Sequence, residues 1–585
     1  MQRMVESLLL TLRKSMPSKT FSTRLYILII TILCLMGIVV ARLFYVQVID
    51  QNKYEQDGLS QYQKSAKEVF ERGSIFLTTK DGERVSGATV MRGYRLVLNT
   101  NKIVDAEATY EALTPYLSIE KEVFINRAKK VNDPYEEVAT RLSKEEAEAI
   151  KSLALPGVFL ENESWRFYPG ERMASRILGF VAYKDDDLTG RYGLEQKYND
   201  VLSRDKDAFF VNFFAEIFSS LHDVVFEQEG REGDIVTSIE PTVQRELEAT
   251  LYGVRNSWNS DIAGGIVMDP ATGRIYAMSV MPDFDVNNFR EVKDPSTFGN
   301  PLVEGVYEFG SIFKTLTMAV GIETGVVTPE TTYDDKGSVT LNKKTINNWD
   351  GKARGVVSMQ QVLNQSLNTG ATFIYQKVGK ENFRKYFYDF GIKEKSGVDL
   401  PGEVSNMVSN LESTRDVEYA TASFGQGIAL TPVSAARAFS AIANGGTLVE
   451  PHLVTEILYR DGSEKRVEPE PGPQIISKET SLTVARMMTN VLDEGLSGGK
   501  YKLPNHSLAV KGGTAQMISA DGRGYEENKY LHSMYGFLPA YDPKFLIFVF
   551  HTNPKGATYS SETWPRPFTD FAKFLVSYYN IPPDR

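Results

Sequence analysis

The sequence predicts a multidomain protein with a single N-terminal transmembrane helix, a mixed α/β pedestal and a C-terminal α+β domain whose antiparallel sheet is flanked by helices. Three observations lead to this fold class. At 585 residues the chain is too long for one ordinary core, an uncharged apolar segment lies near its start, and strand-like runs stand at both ends of the C-terminal half, with mostly helical sequence between them. We expect a cytoplasmic tail over residues 1–24, an anchor over 25–45, a pedestal over 46–235 and the α+β domain over 236–585.

The anchor is predicted from residues 25–41, which are apolar and uncharged and are bounded by Arg24 and Arg42. This length is at the short end for a membrane span, and the two arginines can reach the interface on either side. Basic residues outnumber acidic ones before the segment, which places the N-terminus in the cytoplasm and the rest of the chain outside. A cleaved signal peptide is the alternative, but the segment is longer than a typical signal-peptide core and no small-x-small cleavage site follows it.

The composition argues against several classes of function. A net charge of −10 disfavours nucleic-acid binding, which requires a basic face. Cys34 is the single cysteine, so no intramolecular disulfide can form, and the five histidines are scattered without the spacing of a zinc site. We therefore expect no cofactor, no metal and no nucleic-acid partner.

The region from about residue 50 to residue 240 contains short alternating apolar runs and helical stretches. Residues 95–98 and 158–160 are predicted strands, and 143–153 is a predicted surface helix in which Ser143 and Glu146 have the spacing of a capping box. No short catalytic motif occurs here, so we interpret the region as a structural platform or partner-binding domain.

The last 350 residues or so carry the predicted α+β domain. Gly and Pro turn residues between two strand-like runs, 264–269 and 274–278, indicate a hairpin near residue 270. The predicted elements are a strand over 234–240, a helix around 243–251, a hairpin of 264–269 and 274–278, strands at 508–511 and 545–550, and a helix over 568–579.

Within this domain, Ser311 and Lys314 are three residues apart at the start of an apolar helical stretch. This spacing puts both side chains on one helical face, Gly310 allows the turn into the helix, and Ser311 lies in its first turn. Burial lowers the pKa of a lysine, and a neutral amine beside a hydroxyl is a general base beside a nucleophile. Alone the pattern is weak, because a serine cap with a solvated lysine has the same spacing.

Two further polar clusters follow, Ser366-Leu367-Asn368 and Lys511-Gly512-Gly513-Thr514-Ala515. Taken alone, the first cluster is typical of a helix cap or a turn, and the second is typical of a loop. Together with the first motif, in this order, they resemble the Ser-x-x-Lys, Ser-x-Asn and Lys-Thr-Gly set of penicillin-binding proteins and serine β-lactamases.

The resemblance extends over about residues 60–555, and the chain is identified as a member of the class B penicillin-binding proteins. Residues 307–314 read Tyr-Glu-Phe-Gly-Ser-Ile-Phe-Lys and resemble the family's Tyr-Glu-Pro-Gly-Ser-x-Phe-Lys block. Total length and a compact pedestal resemble the division type more than the elongation type. Further similar blocks are Arg72-Gly73-Ser74-Ile75, Arg166-Phe167-Tyr168-Pro169-Gly170, Gly193-Leu194-Glu195-Gln196-Lys197-Tyr198, Leu400-Pro401-Gly402-Glu403, Phe424-Gly425-Gln426-Gly427 and Asn444-Gly445-Gly446.

The resemblance implies a peptidoglycan D,D-transpeptidase that acylates a serine with a D-Ala-D-Ala stem peptide and passes the acyl group to a neighbouring amine. It implies Ser311 as nucleophile, Lys314 as base, Ser366 as proton relay, Asn368 as a contact of the substrate amide and Lys314, and Lys511 as a source of positive potential. The expected oxyanion and substrate-binding residues are Gly513, Thr514 and Ala515, together with the backbone N–H of Ser311.

Two positions depart from the family pattern. Phe309 replaces the usual proline, which we expect to affect local rigidity only. Gly512 replaces the usual threonine or serine, which removes a hydroxyl expected to bind the substrate or penicillin carboxylate and leaves that contact to Thr514. Such a loss costs about 1.5–3 kcal/mol if nothing substitutes.

The resemblance also implies partners and a location. The partners are peptidoglycan stem peptides, a SEDS-family glycosyltransferase with other divisome or elongasome membrane proteins, and β-lactam antibiotics as covalent inhibitors. The location is the bacterial cytoplasmic membrane, with an extracytoplasmic catalytic domain. No glycosyltransferase-like motif occurs before residue 240, so cross-linking alone is expected. A membrane-anchored β-lactamase and a non-catalytic β-lactam sensor or scaffold remain alternatives; Glu403 is interpreted as structural rather than as a deacylating base.

Overall fold

The computed structural model describes residues 30, 35–36, 70–131, 133–184, 187–204, 232–467, 469–470, 472–519 and 524–585. The predicted tail and anchor, residues 1–45, fall outside these residues apart from positions 30, 35 and 36. Within the part of the chain that is described, no helix combines the length and the apolarity needed to cross a membrane.

The N-terminal half of the described chain mixes strands and helices, as predicted. The strands predicted at 95–98 and 158–160 are confirmed as parts of longer strands, and the helix predicted at 143–153 is confirmed, with both hydrogen bonds of its Ser143–Glu146 capping box. The elements are β1 (Ile75–Thr78), β2 (Arg84–Leu98), α1 (Ala106–Leu113), α2 (Lys121–Ala128), β3 (Glu136–Leu142), α3 (Lys144–Ser152), β4 (Val158–Phe167), α4 (Ser175–Leu178), β5 (Val181–Lys184), β6 (Asp187–Gly190), α5 (Gly193–Lys197) and α6 (Asn199–Leu202).

The C-terminal half begins with a strand and ends with a helix, and its predicted elements near 234–251, 264–278, 508–511, 545–550 and 568–579 are all confirmed. The elements are β7 (Gly233–Thr237), α7 (Pro241–Ser257), β8 (Ala263–Met268), β9 (Ile275–Met281), α8 (Pro301–Glu304), a 3-10 turn (Gly310–Phe313), α9 (Lys314–Glu323), β10 (Thr332–Asp335), β11 (Ser338–Leu341), β12 (Lys344–Asn347), β13 (Gly355–Ser358), α10 (Met359–Asn364), α11 (Asn368–Val378), α12 (Lys380–Asp389), α13 (Asp416–Ala422), α14 (Pro432–Ala443), β14 (Val454–Tyr459), β15 (Glu464–Arg466), α15 (Lys478–Asn490), β16 (Ala509–Ile518), β17 (Tyr525–Leu538), β18 (Phe545–Thr552), α16 (Ser560–Thr563) and α17 (Pro565–Tyr578).

The larger sheet joins both halves of the sequence. Its strand order is β15-β14-β7-β1-β2-β3, and β4 pairs with β2. The β1–β7 pair is parallel, with Ile75 opposite Ile235, whereas β7 and β14 are antiparallel. Two strands that lie after residue 450 therefore extend a sheet that starts at residue 75.

The five-stranded sheet carries the site and has the predicted antiparallel arrangement, in the order β16-β17-β18-β8-β9. On one face, Tyr535 and Phe548 pack against Phe439 of α14. On the other face, Gly265 and Gly536 approach α7 and α17. Helices thus cover both faces of the sheet. The edge strand β16 lies beside the turn that precedes α9.

Candidate active site

The predicted nucleophile Ser311 lies in a 3-10 turn over Gly310–Phe313, and the α-helix begins only at Lys314. The expected first α-helical turn is therefore wound more tightly than predicted. Gly310 adopts a left-handed φ of +64°, and a Cβ at this position would lie 2.3 Å from the carbonyl oxygen of Thr514. Glycine is required here because the turn and β16 touch backbone to backbone, which fixes Ser311 beside the strand.

Lys314 lies below Ser311 and is 1% exposed. Its Nζ is 2.9 Å from Ser311 Oγ, 2.5 Å from the Ser366 carbonyl oxygen and 3.1 Å from Ser366 Oγ. Burial, and to a smaller degree the positive charge of Lys511, hold the pKa of Lys314 well below its usual value of 10.5. The structure thus brings an amine with a reason to be neutral within proton-transfer distance of a hydroxyl.

Ser366 connects the two lysines of the site. Its Oγ is 3.1 Å from Lys314 Nζ and also 3.1 Å from Lys511 Nζ. The residue adopts a left-handed φ of +55° between α10 and α11, a conformation that costs a non-glycine residue of the order of 1–3 kcal/mol. The strained backbone turns both Ser366 oxygens toward Lys314.

The β16 strand supplies the third cluster, and its side chains alternate between two surroundings. Gly512 and Thr514 line the cavity. A Cβ at Gly513 would lie 2.3 Å from the Phe309 carbonyl oxygen, so glycine is required at this position. Ala515 is 1% exposed and lies outside the cavity lining. Of the three predicted binding positions in this motif, Thr514 alone presents a side chain to the cavity.

Lys511 is also buried, and burial lowers its pKa to about 7. Its Nζ donates to Ser366 Oγ and, at 2.8 Å, to the Gly512 carbonyl oxygen. The group is therefore placed to change protonation near neutral pH when an anion binds beside it.

Asn368 lies at the start of α11 and lines the same cavity. Its amide nitrogen donates to the backbone carbonyl oxygen of Asn347 at 2.9 Å, whereas the family resemblance implies a contact with Lys314. The side chain is therefore held by β12, and within the described residues no hydrogen bond joins it to the Lys314 amine.

These groups meet at a cavity of about 650 Å³. Ser311, Ser366, Asn368, Lys511 and Thr514 all contribute to its lining, and Lys314 lies beneath its floor. The side chains that line it from the described residues include arginine and lysine but no aspartate or glutamate. In that part of the chain, no group of acidic, histidine or cysteine side chains has the arrangement of a metal site. The cavity therefore suits an anionic organic ligand.

Three aromatic residues that line the cavity, Trp349, Tyr530 and Tyr559, belong to none of the predicted motifs. The Trp349 indole N–H donates to the Gln365 carbonyl oxygen, and its ring meets Tyr559 edge to face with 5.1 Å between the centroids. The two residues are 210 positions apart (559 − 349) and belong to no motif. An exposed tryptophan after a polar stretch was the one available signal, and it does not specify a partner.

Phe309 has a larger role than the expected effect on rigidity. Its side chain is fully buried, and its ring lies edge to face against Phe548 and Phe550 of β18. Its φ of −101° lies well away from the −65° to which proline is held. The aromatic ring therefore fastens the nucleophile turn to the central sheet.

Glu403 has the predicted structural role. Its carboxylate accepts hydrogen bonds from the backbone N–H groups of Ser396 and Gly397, at 2.6 and 3.3 Å, and it does not line the cavity. A deacylating carboxylate, which a β-lactamase of this kind needs, is not found among the described residues that line the cavity.

Two protein families together match most of the described chain. The penicillin binding protein transpeptidase domain matches residues 263–569, and the penicillin-binding protein dimerisation domain matches residues 71–211. The first match contains every predicted site residue from Ser311 to Ala515. The second covers most of the N-terminal half of the described chain.

Individual proteins give the same result. The chain is 31% identical to stage V sporulation protein D of Bacillus subtilis over 530 residues, which are 89% of this chain and 80% of that protein. It is 26% identical to the peptidoglycan D,D-transpeptidase FtsI of Escherichia coli over 453 residues, 76% of this chain and 73% of that protein.

Two solved structures share the fold. Penicillin binding protein 2X from Streptococcus thermophilus has a TM-score of 0.69 at 22% identity and covers 88% of this chain and 81% of its own. Penicillin binding protein 3 from Mycobacterium tuberculosis, complexed with aztreonam, has a TM-score of 0.66 at 21% identity and covers 88% of this chain and 98% of its own.

Proposed function

We propose that this chain, which belongs to the class B penicillin-binding proteins and is a serine D,D-transpeptidase of peptidoglycan, forms its acyl-enzyme on Ser311 and acts in wall synthesis at the division septum. The observation that carries the assignment of the nucleophile is the 2.9 Å distance between Ser311 Oγ and the buried Lys314 Nζ. A hydroxyl becomes a nucleophile when a neutral base lies within hydrogen-bond reach, and burial supplies the neutral base here.

The reaction follows from these positions. Ser311 Oγ attacks the carbonyl carbon of the penultimate D-Ala of a donor stem peptide as its proton passes to the Lys314 amine. The C–N bond then breaks, the proton travels through the Ser366 hydroxyl to the leaving D-Ala nitrogen, and an ester remains on Ser311. The amine of a neighbouring stem peptide attacks this ester, its proton returns through Lys314 to Ser311, and the cross-link is an amide.

Stabilisation of the oxyanion falls to backbone N–H groups. The N–H of Ser311 in the 3-10 turn and the N–H of Thr514 on β16 lie on the two segments that touch at Gly310. One such donor is worth about 3–4 kcal/mol of the barrier in enzymes where it was removed. The contact between turn and strand thus sets the distance between the two donors.

The proposal extends to binding and location. We infer that β-lactams acylate Ser311, since the Mycobacterium tuberculosis relative of the same fold was crystallised with aztreonam and with ampicillin. We propose the boundaries 1–24, 25–45, 46–235 and 236–585, with the anchor in the cytoplasmic membrane, the catalytic part outside it, and the pedestal and anchor contacting a SEDS-family glycosyltransferase. Wall synthesis during sporulation is a second candidate, favoured by the similarity to stage V sporulation protein D.

Labelling with a fluorescent penicillin tests the nucleophile. The full chain in detergent should acquire a stable covalent label, and Ser311→Ala should acquire none while keeping the thermal midpoint of the unmodified protein. A label on Ser311→Ala would refute the assignment. Rapid loss of the label from the unmodified chain would instead favour a β-lactamase, and labelling without release of D-Ala from a stem pentapeptide would favour a sensor.

A fluorescent fusion tests the location. Enrichment at the midcell of vegetative cells supports the septal role. Appearance only at the onset of sporulation supports the second candidate, and a uniform side-wall signal contradicts both.

A further inference from the structure

Ser560 lines the cavity at the start of α16 and belongs to none of the sequence motifs. It is 5% exposed, and its backbone N–H donates to Thr514 Oγ1 at 2.9 Å. Its other hydrogen bonds within the described residues use its carbonyl oxygen, which accepts from Thr563 and Trp564. The Ser560 hydroxyl is therefore available to a ligand in the cavity.

The Ser560 hydroxyl borders the space left by the missing side chain of Gly512. A Cβ at Gly512 would lie 3.0 Å from Ser560 Oγ, closer than any other heavy atom outside the neighbouring residues, with Met534 next at 3.5 Å. Gly512 and Thr514 are two residues apart on β16, so both face this serine. The helix α16 thus places a serine hydroxyl beside position 512, where the threonine or serine hydroxyl usual in the family is missing.

The charges of this wall indicate what it binds. Thr514 Oγ1 already accepts a hydrogen bond from the Ser560 N–H, so its own proton can be donated to a ligand. Lys511 lies in the same strand, and the described residues that line the cavity include no carboxylate to neutralise it. Two hydroxyl donors beside a cation form a site for a carboxylate.

We propose that Ser560 binds the terminal carboxylate of the donor stem peptide, and the carboxylate of penicillins, through its Oγ, together with Thr514 and in place of a side chain at Gly512. This inference rests on the proposed function, because it needs the acylation at Ser311 to bring that carboxylate into the cavity. Ser560 is a residue of substrate recognition and takes no part in proton transfer.

The test compares a carboxylate probe with a neutral one. In the full chain in detergent, the second-order rate constant for acylation is measured with benzylpenicillin and with its methyl ester. Ser560→Ala should lower the benzylpenicillin rate roughly ten- to a hundredfold, the range for a lost hydrogen bond to a charged group, and leave the methyl-ester rate unchanged. The unchanged ester rate also shows that the variant is folded. Ser577→Ala, an exposed serine of α17 that does not line the cavity, is the matched control and should change neither rate.

A second variant restores a hydroxyl from β16 in place of the one lost from α16. In Ser560→Ala/Gly512→Thr, the threonine enters the space vacated by Ser560 Oγ, and the benzylpenicillin rate should return to within about threefold of the unmodified chain. Equal losses with both probes, or no loss with either, would overturn the role of Ser560. Failure of the unmodified chain to react with either probe would overturn the proposed function instead.

Discussion

At the scale of single residues, the site contains two buried lysine amines whose pKa values lie below the usual 10.5. Lys314 and Lys511 share Ser366 Oγ, and burial lowers the pKa of both lysines. A proton on Lys511 disfavours a proton on Lys314, since the two charges repel at short range. Binding of an anionic substrate favours the protonated form of Lys511, so recognition and the choice of base are linked through Ser366.

Gly310 gives the sharpest residue-scale prediction. Gly310→Ala adds a Cβ that would lie 2.3 Å from the Thr514 carbonyl oxygen, so the nucleophile turn must move away from β16. A displacement of about 1 Å in a catalytic geometry costs about a hundredfold in rate. We expect penicillin acylation to slow by about that factor, measured as the second-order rate constant.

Gly325→Ala is the matched control for this prediction. Gly325 also has a positive φ, +69°, but a Cβ there would have no heavy atom within 4 Å. Both variants bear the strain of a left-handed alanine, about 1–2 kcal/mol, and only Gly310→Ala meets the strand. Equal acylation rates in the two variants would show that the contact between turn and strand does not position Ser311.

At the scale of elements, a polar arm built from β10 to β13, residues 332–358, places Asn368. The carboxylate of Asp335 is 1% exposed and accepts hydrogen bonds from the Gly337 and Arg354 N–H groups, from Asn348 and from Thr369 Oγ1, at 2.8–3.1 Å. Thr369 belongs to α11, so this one carboxylate ties the arm to the helix that begins with the predicted site asparagine.

Asp335→Asn should loosen this connection. The new amide group presents N–H donors to groups that are themselves donors, which leaves buried polar groups without partners at about 1–3 kcal/mol each. We expect a fall of about 2–4 kcal/mol in the free energy of unfolding and slower penicillin acylation, measured by thermal unfolding and labelling. Asp334→Asn, at the adjacent exposed position, should change neither quantity, and matching losses in the two variants would contradict the role of Asp335.

The elements also show how far the sequence can predict this molecule. The β8–β9 hairpin, the capping box of α3 and the three polar clusters could be predicted because each is encoded within a short continuous segment, 264–278 for the hairpin and fewer residues for the others. The contacts of Trp349 with Tyr559 and of Ser560 with Thr514 could not, since they join segments far apart in the chain. Neither could the left-handed backbone of Ser366, which tertiary contacts impose against its intrinsic preference.

At the scale of the whole described body, the pedestal and the catalytic part share structure. The seven-stranded sheet takes strands from residues 75–167, 233–237 and 454–466. One continuous hydrophobic core includes Ile75 and Leu77 of the first strand together with Phe309 and Phe313 beside Ser311. We infer that the two parts unfold together, because separating them would expose this shared core to water.

A buried ion cluster stabilises the N-terminal side of that shared structure. Glu195 is fully buried and binds Arg72 and Arg166 at 2.5 and 2.6 Å. Burial by itself raises the pKa of Glu195, but the two arginines outweigh it and hold the pKa below the usual 4.5. A carboxylate with a lowered pKa stabilises the fold above its unfolded pKa, and this contribution is lost as the pH falls through its folded pKa.

Glu195→Ala therefore tests whether the described body behaves as one unit. The substitution leaves two buried guanidinium groups unpaired, and we expect the free energy of unfolding to fall by about 3–5 kcal/mol at neutral pH. Penicillin labelling of Ser311 should disappear at the same lowered temperature as the circular-dichroism signal. The difference in the free energy of unfolding between this variant and the unmodified chain should shrink below about pH 4.5, the usual pKa of a glutamate. Glu71→Ala, which removes an exposed ion pair with Arg92, is the control and should leave both temperatures unchanged. Retention of labelling in Glu195→Ala after the bulk signal has melted would show that the catalytic part folds independently of the pedestal.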